Sequence, residues 1–227
     1  KGFPELEVHG ITDDSRKVEP GDLFIAVPGI NSDGRDYIQT VAEKSAGLVL
    51  CEPPAPDVFV DIPVVEFRDL KSNIGRIASR YFGDPSSQML VVAITGTNGK
   101  TSCSHFISEA LSTLGQKCGT VGTMGYGTVG HLTDAGLTTP DAINLQKYLA
   151  ALQEDSCKAV SIEASSHGLE QHRLNGTTID VAVFTNITRD HLDYHNSFDE
   201  YKRSKQALFQ WPELKTAIVN IDDEFGL

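Results

Sequence analysis

The 227-residue chain is poor in cysteine: it has only Cys51, Cys103, Cys118 and Cys157. No two of them form a C-x-x-C pair, and their spacing matches no metal framework. They read as reduced thiols, the state expected in the cytoplasm. Hydrophobic runs are short as well. None approaches the ~18 apolar residues of a membrane span and no signal-peptide pattern is visible, so a cytoplasmic protein without a membrane partner is expected. Positive charge is scarce, with 19 Lys and Arg against 31 Asp and Glu and a formal net charge of -12. Such a balance disfavours contact with a nucleic-acid backbone and weighs against a helicase. The G-x-S-x-G elbow of a serine hydrolase is missing. An H-x-x-x-H spacing occurs at His191 and His195, but Leu192 stands where a zinc protease carries Glu. No internal repeat is present. Core material is not lacking, because 40% of the residues are hydrophobic, which fits a packed core rather than disorder.

Against these absences stands "AITGTNGKTSCSHF", Ala93 to Phe106, an apolar strand running through a Gly-rich turn into a helical pattern. Gly96 and Gly99 let the backbone turn so that several N–H groups converge on one anion. The helix beginning near Lys100 adds the positive end of its dipole. Lys100 would supply a cation to the outer phosphates, and the Thr101 hydroxyl is placed to ligate Mg²⁺. Ile94 occupies the position where the usual phosphate loop has its first Gly, so only the GK[ST] half of that motif is matched. The alternative, a plain Gly-rich turn, does not explain the strand before and the helix after. A phosphate site is expected.

Two composition breaks divide the chain: the Pro-rich "EPPAPD" at 52–57 and "GDPSS" at 83–87. Before the second break lie short β patterns at 22–27, 46–50 and 62–67. A helix follows with Asp69 as N-cap and Leu70, Ile74, Ile77, Ala78 and Tyr81 as its apolar stripe. Residues 1–87 therefore read as a small α/β domain. The second domain, 88–227, alternates strands at 89–95, 159–164, 181–187 and 216–221 with helices at 100–114, 140–152 and 198–209. That order predicts a mostly parallel sheet covered on both faces, with ligands at the carboxyl ends of the strands. The stretch Gly119 to Thr139 reads as a ligand-facing loop, too rich in glycine for an ordinary element.

Three residues sit where charge is unexpected. Glu163 ends an apolar strand; it either reaches solvent or meets a metal or cation. His191 also follows an apolar strand, although a loop His alone carries little information. Lys205 lies on the apolar stripe Phe198, Tyr201, Leu208 and Phe209 of a helix that Ser197 and Glu200 cap. It either snorkels to water or is a site lysine that is neutralised, paired or modified. Beside them, "EASSHGLEQHR" (163–173) gathers polar groups with Arg173, which suits an anionic, hydroxyl-bearing substrate, or a solvated helix start.

At these residues the chain resembles the Mur ligase family, most closely its UDP-N-acetylmuramoyl-tripeptide synthetases. The likeness covers nearly the whole chain: "DDSRKVEPGDLFIAVPG" (13–29), "SDGRDYI" (32–38), "TGTNGKTS" (95–102), "LTTPD" (137–141), "EASSHGLEQHR" (163–173) and "FTNITRDHLDYH" (184–195). The shortened phosphate loop is itself what this family shows. The resemblance implies that ATP phosphorylates the D-Glu carboxylate of UDP-N-acetylmuramoyl-L-Ala-D-Glu and that an amino acid's amine attacks the acyl phosphate. Asp13, Ser15 and the segment Ile30, Asn31 and Ser32 would hold the uridine diphosphate end. Gly96, Thr97, Asn98, Gly99, Lys100, Thr101 and Ser102 would hold the ATP phosphates. Thr138, Thr139, Ser165, Gln171 and Arg173 would hold the muramoyl-dipeptide. Thr101 would ligate one Mg²⁺, and Glu163, His191 and a carbamoylated Lys205 would serve a second. Lys100, Glu163, His191 and Lys205 are thereby the expected catalytic set. The family's third domain, which binds the incoming amino acid, is expected to be absent, the central domain incomplete and the piece alone inactive. The partners expected are small molecules only, acting on a monomer. A folylpolyglutamate synthase would share the loop but not the 13–29 motif, while a nucleotide switch or a UDP-sugar binding module would lack the ligase step.

Overall fold

The computed structural model describes residues 7–29, 32–188, 194–195 and 197–226. Contacts divide the chain into two units, Lys1–Ile74 and Gly75–Leu227. This join falls inside a helix that the sequence reading assigns wholly to a first domain ending at 87.

The first unit runs β1 (Ile11–Thr12), β2 (Leu23–Ala26), α1 (Ile38–Glu43), β3 (Leu48–Cys51), β4 (Val64–Glu66) and then α2 (Leu70–Tyr81). Its strands form one parallel sheet in the order β1-β2-β3-β4. Phe24, Ala26, Val49 and Cys51 of the sheet pack with Ile38 and Val41 of α1. The helix expected after Asp69 is present, but Asp69 is not the cap its sequence position implies. The Glu52 carboxylate accepts the Asp69 amide at 2.9 Å and the Lys71 amide at 3.4 Å, while Asp69 itself adopts φ 56°. A distant carboxylate thus supplies the anion that helix starts favour. Tyr81, expected on the buried stripe, is 37% exposed.

The second unit continues with β5 (Leu90–Thr95), α3 (Lys100–Thr113), β6 (Cys118–Gly122), β7 (Gly125–Thr128), β8 (His131–Thr133) and α4 (Ala142–Glu154). After these come β9 (Ala159–Glu163), α5 (Ser166–Glu170), β10 (Val181–Phe184), α6 (Phe198–Gln206) and β11 (Thr216–Val219). The sheet order is β11-β10-β5-β9-β6-β7-β8, parallel except for β7 and β8. β5 lies between β9 and β10, so the loop after it emerges near the middle of the sheet. Along β9 side chains alternate: Val160 and Ile162 join the apolar core with Leu145 and Leu149 of α4, while Ser161 and Glu163 turn toward α3.

The expected loop at Gly119–Thr139 is wrong as far as Thr133, because that part folds as β6, β7 and β8. β6 is buried along its whole length between parallel β9 and antiparallel β7. Glycine there serves closeness, not flexibility. A Cβ on Gly122 would collide with the Glu163 carboxylate.

Candidate active site

The site grows from one register. Ile94 of β5 pairs with Glu163 of β9, so the end of β9 stands beside the turn that leaves β5. Gly96 (φ 149°) and Gly99 (φ 87°) carry that turn, and a Cβ on Gly96 would strike the Thr185 hydroxyl. α3 opens at Gly99, with the first intrahelical bond from Cys103 N to Gly99 O. The Thr101 and Ser102 amides precede that bond and present donors at the positive end of the helix.

Not every amide of the loop is available to an anion. Thr97 N donates to Asn186 O at 2.8 Å, and Asn98 N donates to Asn186 Oδ1 at 3.1 Å. Asn186 Nδ2 and Thr185 Oγ1 both donate to Asn98 O, at 3.1 and 2.6 Å. Thr185 and Asn186 lie within the 184–195 motif, but the sequence reading gave neither of them a role. Lys100 Nζ reaches back to Gly96 O (3.0 Å) and Thr97 O (2.9 Å), which holds the ammonium over the loop.

Glu163 is 1% exposed, so it does not reach solvent. Thr101 Oγ1 donates to its Oε2 at 2.9 Å; Thr123 donates from its amide to Oε1 at 2.9 Å and from its hydroxyl to Oε2 at 3.1 Å. Thr123 also meets Thr138 Oγ1 at 3.0 Å, and only its nearness to Glu163 reveals it as part of the site. A buried carboxylate so surrounded is an acceptor held in one orientation.

Lys205 is 1% exposed, which removes the snorkelling alternative. Its Nζ donates to Gly96 O at 2.8 Å and lies 4.5 Å from the centroid of the Tyr201 ring. Tyr201 OH in turn meets Thr97 Oγ1 at 2.9 Å. Lys205 and the phosphate loop are thus one assembly. The expected cap is present, since Ser197 Oγ accepts Glu200 N at 3.2 Å. His191, Ile30 and Asn31 lie outside the described residues. His195, buried at 2% exposure, places Nδ1 3.1 Å from Glu170 Oε2.

A second cluster adjoins Glu163. Thr139 Oγ1 donates to Glu163 O at 2.7 Å and meets Ser165 Oγ at 2.8 Å, while Ser165 caps α5 by accepting Gly168 N at 3.0 Å. Arg173 donates to Thr139 O at 2.7 Å and, through Nη2, to Gln171 Oε1 at 2.7 Å; Gln171 donates to Tyr194 OH at 2.9 Å. Burial pushes the guanidinium's pKa down from its ordinary value. Gln171 and Arg173 are half-buried and belong to this cluster rather than to a solvated helix start.

In the first unit, Ser15 is half-buried and Asp13 exposed in a turn braced by Lys44, whose Nζ donates to the Ser15 and Arg16 carbonyls at 2.9 Å each. Asp14 accepts from Arg16 Nε at 2.8 Å and Nη2 at 2.9 Å, and this hydrogen bonding lowers its pKa from 3.8 to about 2. A carboxyl depressed in the fold stabilises it above its ordinary pKa and loses that contribution as pH falls from about 4 to about 2. Thermal melts of the chain and its Asp14→Asn variant are expected to differ at pH 6 and to converge near pH 2. A constant gap across that window would count against the pairing. Ser32 is exposed and its carbonyl accepts Gly29 N at 2.9 Å.

Mg²⁺ takes oxygen ligands, usually one or two carboxylates beside waters and substrate phosphates. Thr101 and Glu163 fit that demand. Among the described residues no three His, Cys, Asp or Glu side chains gather as a metal cage. Likewise, no helix among them is long and apolar enough to cross a membrane.

The family model described as "Mur ligase middle domain" matches residues 94–227, and that described as "Mur ligase family, catalytic domain" matches 7–82. A Coxiella burnetii protein named UDP-N-acetylmuramoyl-L-alanyl-D-glutamate--2,6-diaminopimelate ligase is 47% identical over 224 residues, covering 98% of this chain and 46% of that protein. Its Pseudomonas putida namesake is 45% identical over 221 residues, covering 96% and 45%. A solved structure of a ligase of the same name superposes with TM-score 0.89 at 36% identity, covering 100% of this chain and 46% of that one. The chain spans about half the length of the curated relatives it matches.

Proposed function

The chain belongs to the Mur ligase family, and on that premise we propose that it binds substrate and ATP for an ATP-dependent ligase joining 2,6-diaminopimelate to UDP-N-acetylmuramoyl-L-alanyl-D-glutamate in peptidoglycan synthesis. The observation that carries this reading is the buried Glu163 carboxylate held against Thr101 at the mouth of the phosphate loop. The amino acid is taken from the relatives' names.

On this reading residues 88–227 handle ATP. The amides at the start of α3 and the Lys100 ammonium hold and orient the phosphates, and Asn186 keeps the loop in shape for them. Thr101 and Glu163 would hold Mg²⁺, with His191 and a carbamoylated Lys205 completing the set. The metal supplies charge neutralisation at the transferred phosphoryl group, whose transfer depends mainly on positioning and charge. Thr138, Thr139, Ser165, Gln171 and Arg173 orient the muramoyl-dipeptide so that its D-Glu carboxylate meets that group. The acyl phosphate so formed is then open to the incoming amine. Residues 1–87, with Asp13, Ser15 and Ile30 to Ser32, hold the uridine diphosphate end. The reading carries with it a monomer working in the cytoplasm on small molecules.

A folylpolyglutamate synthase reading fits less well, because a Mur ligase model also matches the first unit, at 7–82. Calorimetry on the 227-residue chain separates the remaining rivals. UDP-N-acetylmuramoyl-L-alanyl-D-glutamate and MgATP are both expected to bind. Ser15→Ala should weaken the first by about 1 kcal/mol, one hydrogen bond, and leave the second unchanged. ATP binding without the muramoyl ligand would favour a nucleotide switch; the converse would favour a UDP-sugar module.

A further inference from the structure

α3 covers its sheet with serines. The buried residues of this fourteen-residue helix are Ser104 and Ser108, both 0% exposed. A helix lying on a sheet ordinarily presents an apolar stripe. Here the facing strands answer in kind, with Ser161 of β9 at 0% and Thr120 of β6 at 2% exposure. Ser104 Oγ lies 2.7 Å from Thr120 Oγ1 and 2.7 Å from Ser161 Oγ. Ser108 Oγ lies 2.9 Å from Ser161 Oγ and donates to Gly119 O at 2.9 Å.

One proton order satisfies all four hydroxyls. In that order Thr120 donates to Ser104, Ser104 to Ser161, and Ser161 to Ser108 with the Ser104 carbonyl as a second acceptor at 3.0 Å, while Ser108 donates to the Gly119 carbonyl, which can only accept. The seam then continues to the phosphate site. Thr101 precedes Ser104 by three residues on the same helix face, and Glu163 follows Ser161 by two on the same strand face. Their contact, Thr101 Oγ1 to Glu163 Oε2 at 2.9 Å, is the next rung.

We propose that Ser104, Ser108, Ser161 and Thr120 form a positioning seam that sets the rotation and height of α3 on the sheet, and through them the meeting of Thr101 with Glu163. Apolar contact is non-directional and would let a helix roll or slide with little penalty. Hydroxyl bonds weaken steeply once distance or angle is lost, and a buried hydroxyl without a partner is costly. Ser161 is the hub, because it touches both helix serines. None of the four is placed to touch substrate.

The test has an arm that needs no ligand. Hydrogen exchange on the 227-residue chain is expected to show the α3 amides opening about tenfold faster in Ser161→Ala, with α4 amides unchanged. Thr120→Val, which keeps volume and removes the hydroxyl, should act in the same direction and stands in if Ser161→Ala fails to fold. Wild-type exchange in α3 of a folded variant would overturn the seam.

The second arm rests on the ATP reading above. Calorimetry with ATP, with and without Mg²⁺, should show the gain in affinity on adding Mg²⁺ reduced about fivefold in the variant, with ATP binding in EDTA unchanged. A merely structural loss would not single out the Mg²⁺-dependent part. An unchanged gain would overturn the link from seam to Thr101 and Glu163. Absence of ATP binding in the wild-type chain would instead overturn the ATP reading, and exchange would still decide the seam.

Discussion

A Lys205→Ala ligase, assayed as the whole enzyme, is expected to lose about 10²–10³-fold in kcat, the scale of removing one charge-stabilising group from an active site. It should recover part of that loss when formate or another small carboxylate is added. Lys205 lies fully buried under the phosphate loop, donating to Gly96 O at 2.8 Å. A permanent cation there would stand close to bound Mg²⁺, and like charges in a poorly hydrated site repel strongly. Carbamoylation reverses the sign. The neutral amine attacks CO₂, a C–N bond forms, one N–H proton leaves to solvent, and an anionic carbamate remains. That group keeps an N–H for the Gly96 carbonyl and gains two oxygens of the kind Mg²⁺ takes. Lys205→Arg keeps the cation and should be inactive with or without formate. An active Arg variant would mean that an ammonium bracing the loop is all the site needs.

Lys100→Ala should bring a loss of similar scale, about 10²–10³-fold in kcat, with a small change in stability. The Lys100 ammonium is fastened to Gly96 O and Thr97 O at 3.0 and 2.9 Å, over the place where the phosphates are expected. A charge fixed before the reaction needs no reorganisation when charge develops on the transferred group. The side chain is half-buried, so losing its hydrogen bonds should cost about 1 kcal/mol of folding stability. Paired measurements of kcat and thermal unfolding separate the two effects. Near-normal turnover in a folded variant would remove Lys100 from the catalytic set.

Much of the site was legible along the chain because its parts are local. The phosphate loop needs Gly96, Gly99, Lys100 and Thr101 within six residues, and Ser197 capped α6 where its spacing to Glu200 placed it. Near-continuous apolar runs marked β5, β9 and β10, as expected of parallel strands covered on both faces, and in β9 only Ser161 interrupts the run before Glu163. Parallel order followed from the alternation of strands with helices.

Other features depend on residues distant in sequence. The fate of Lys205, water or phosphate loop, could not be read from a stripe; it was decided when α6 brought the ammonium to Gly96, 109 residues away. Glu52 rather than Asp69 serves the start of α2, because the fold brings that carboxylate within reach of the Asp69 and Lys71 amides. The glycines at 119 and 122 looked like loop residues, since sequence alone cannot distinguish glycine chosen for freedom from glycine chosen for closeness. The packing of β6 against β9, with the Glu163 carboxylate where a Gly122 Cβ would be, made that distinction. Thr123, Ser108, Thr120 and Ser161 belong to no motif, and Asn186 and Ser104 lie in quoted stretches that gave them no role. A hydroxyl or amide acquires meaning from its partner, and tertiary folding alone decides which partner lies within 3 Å.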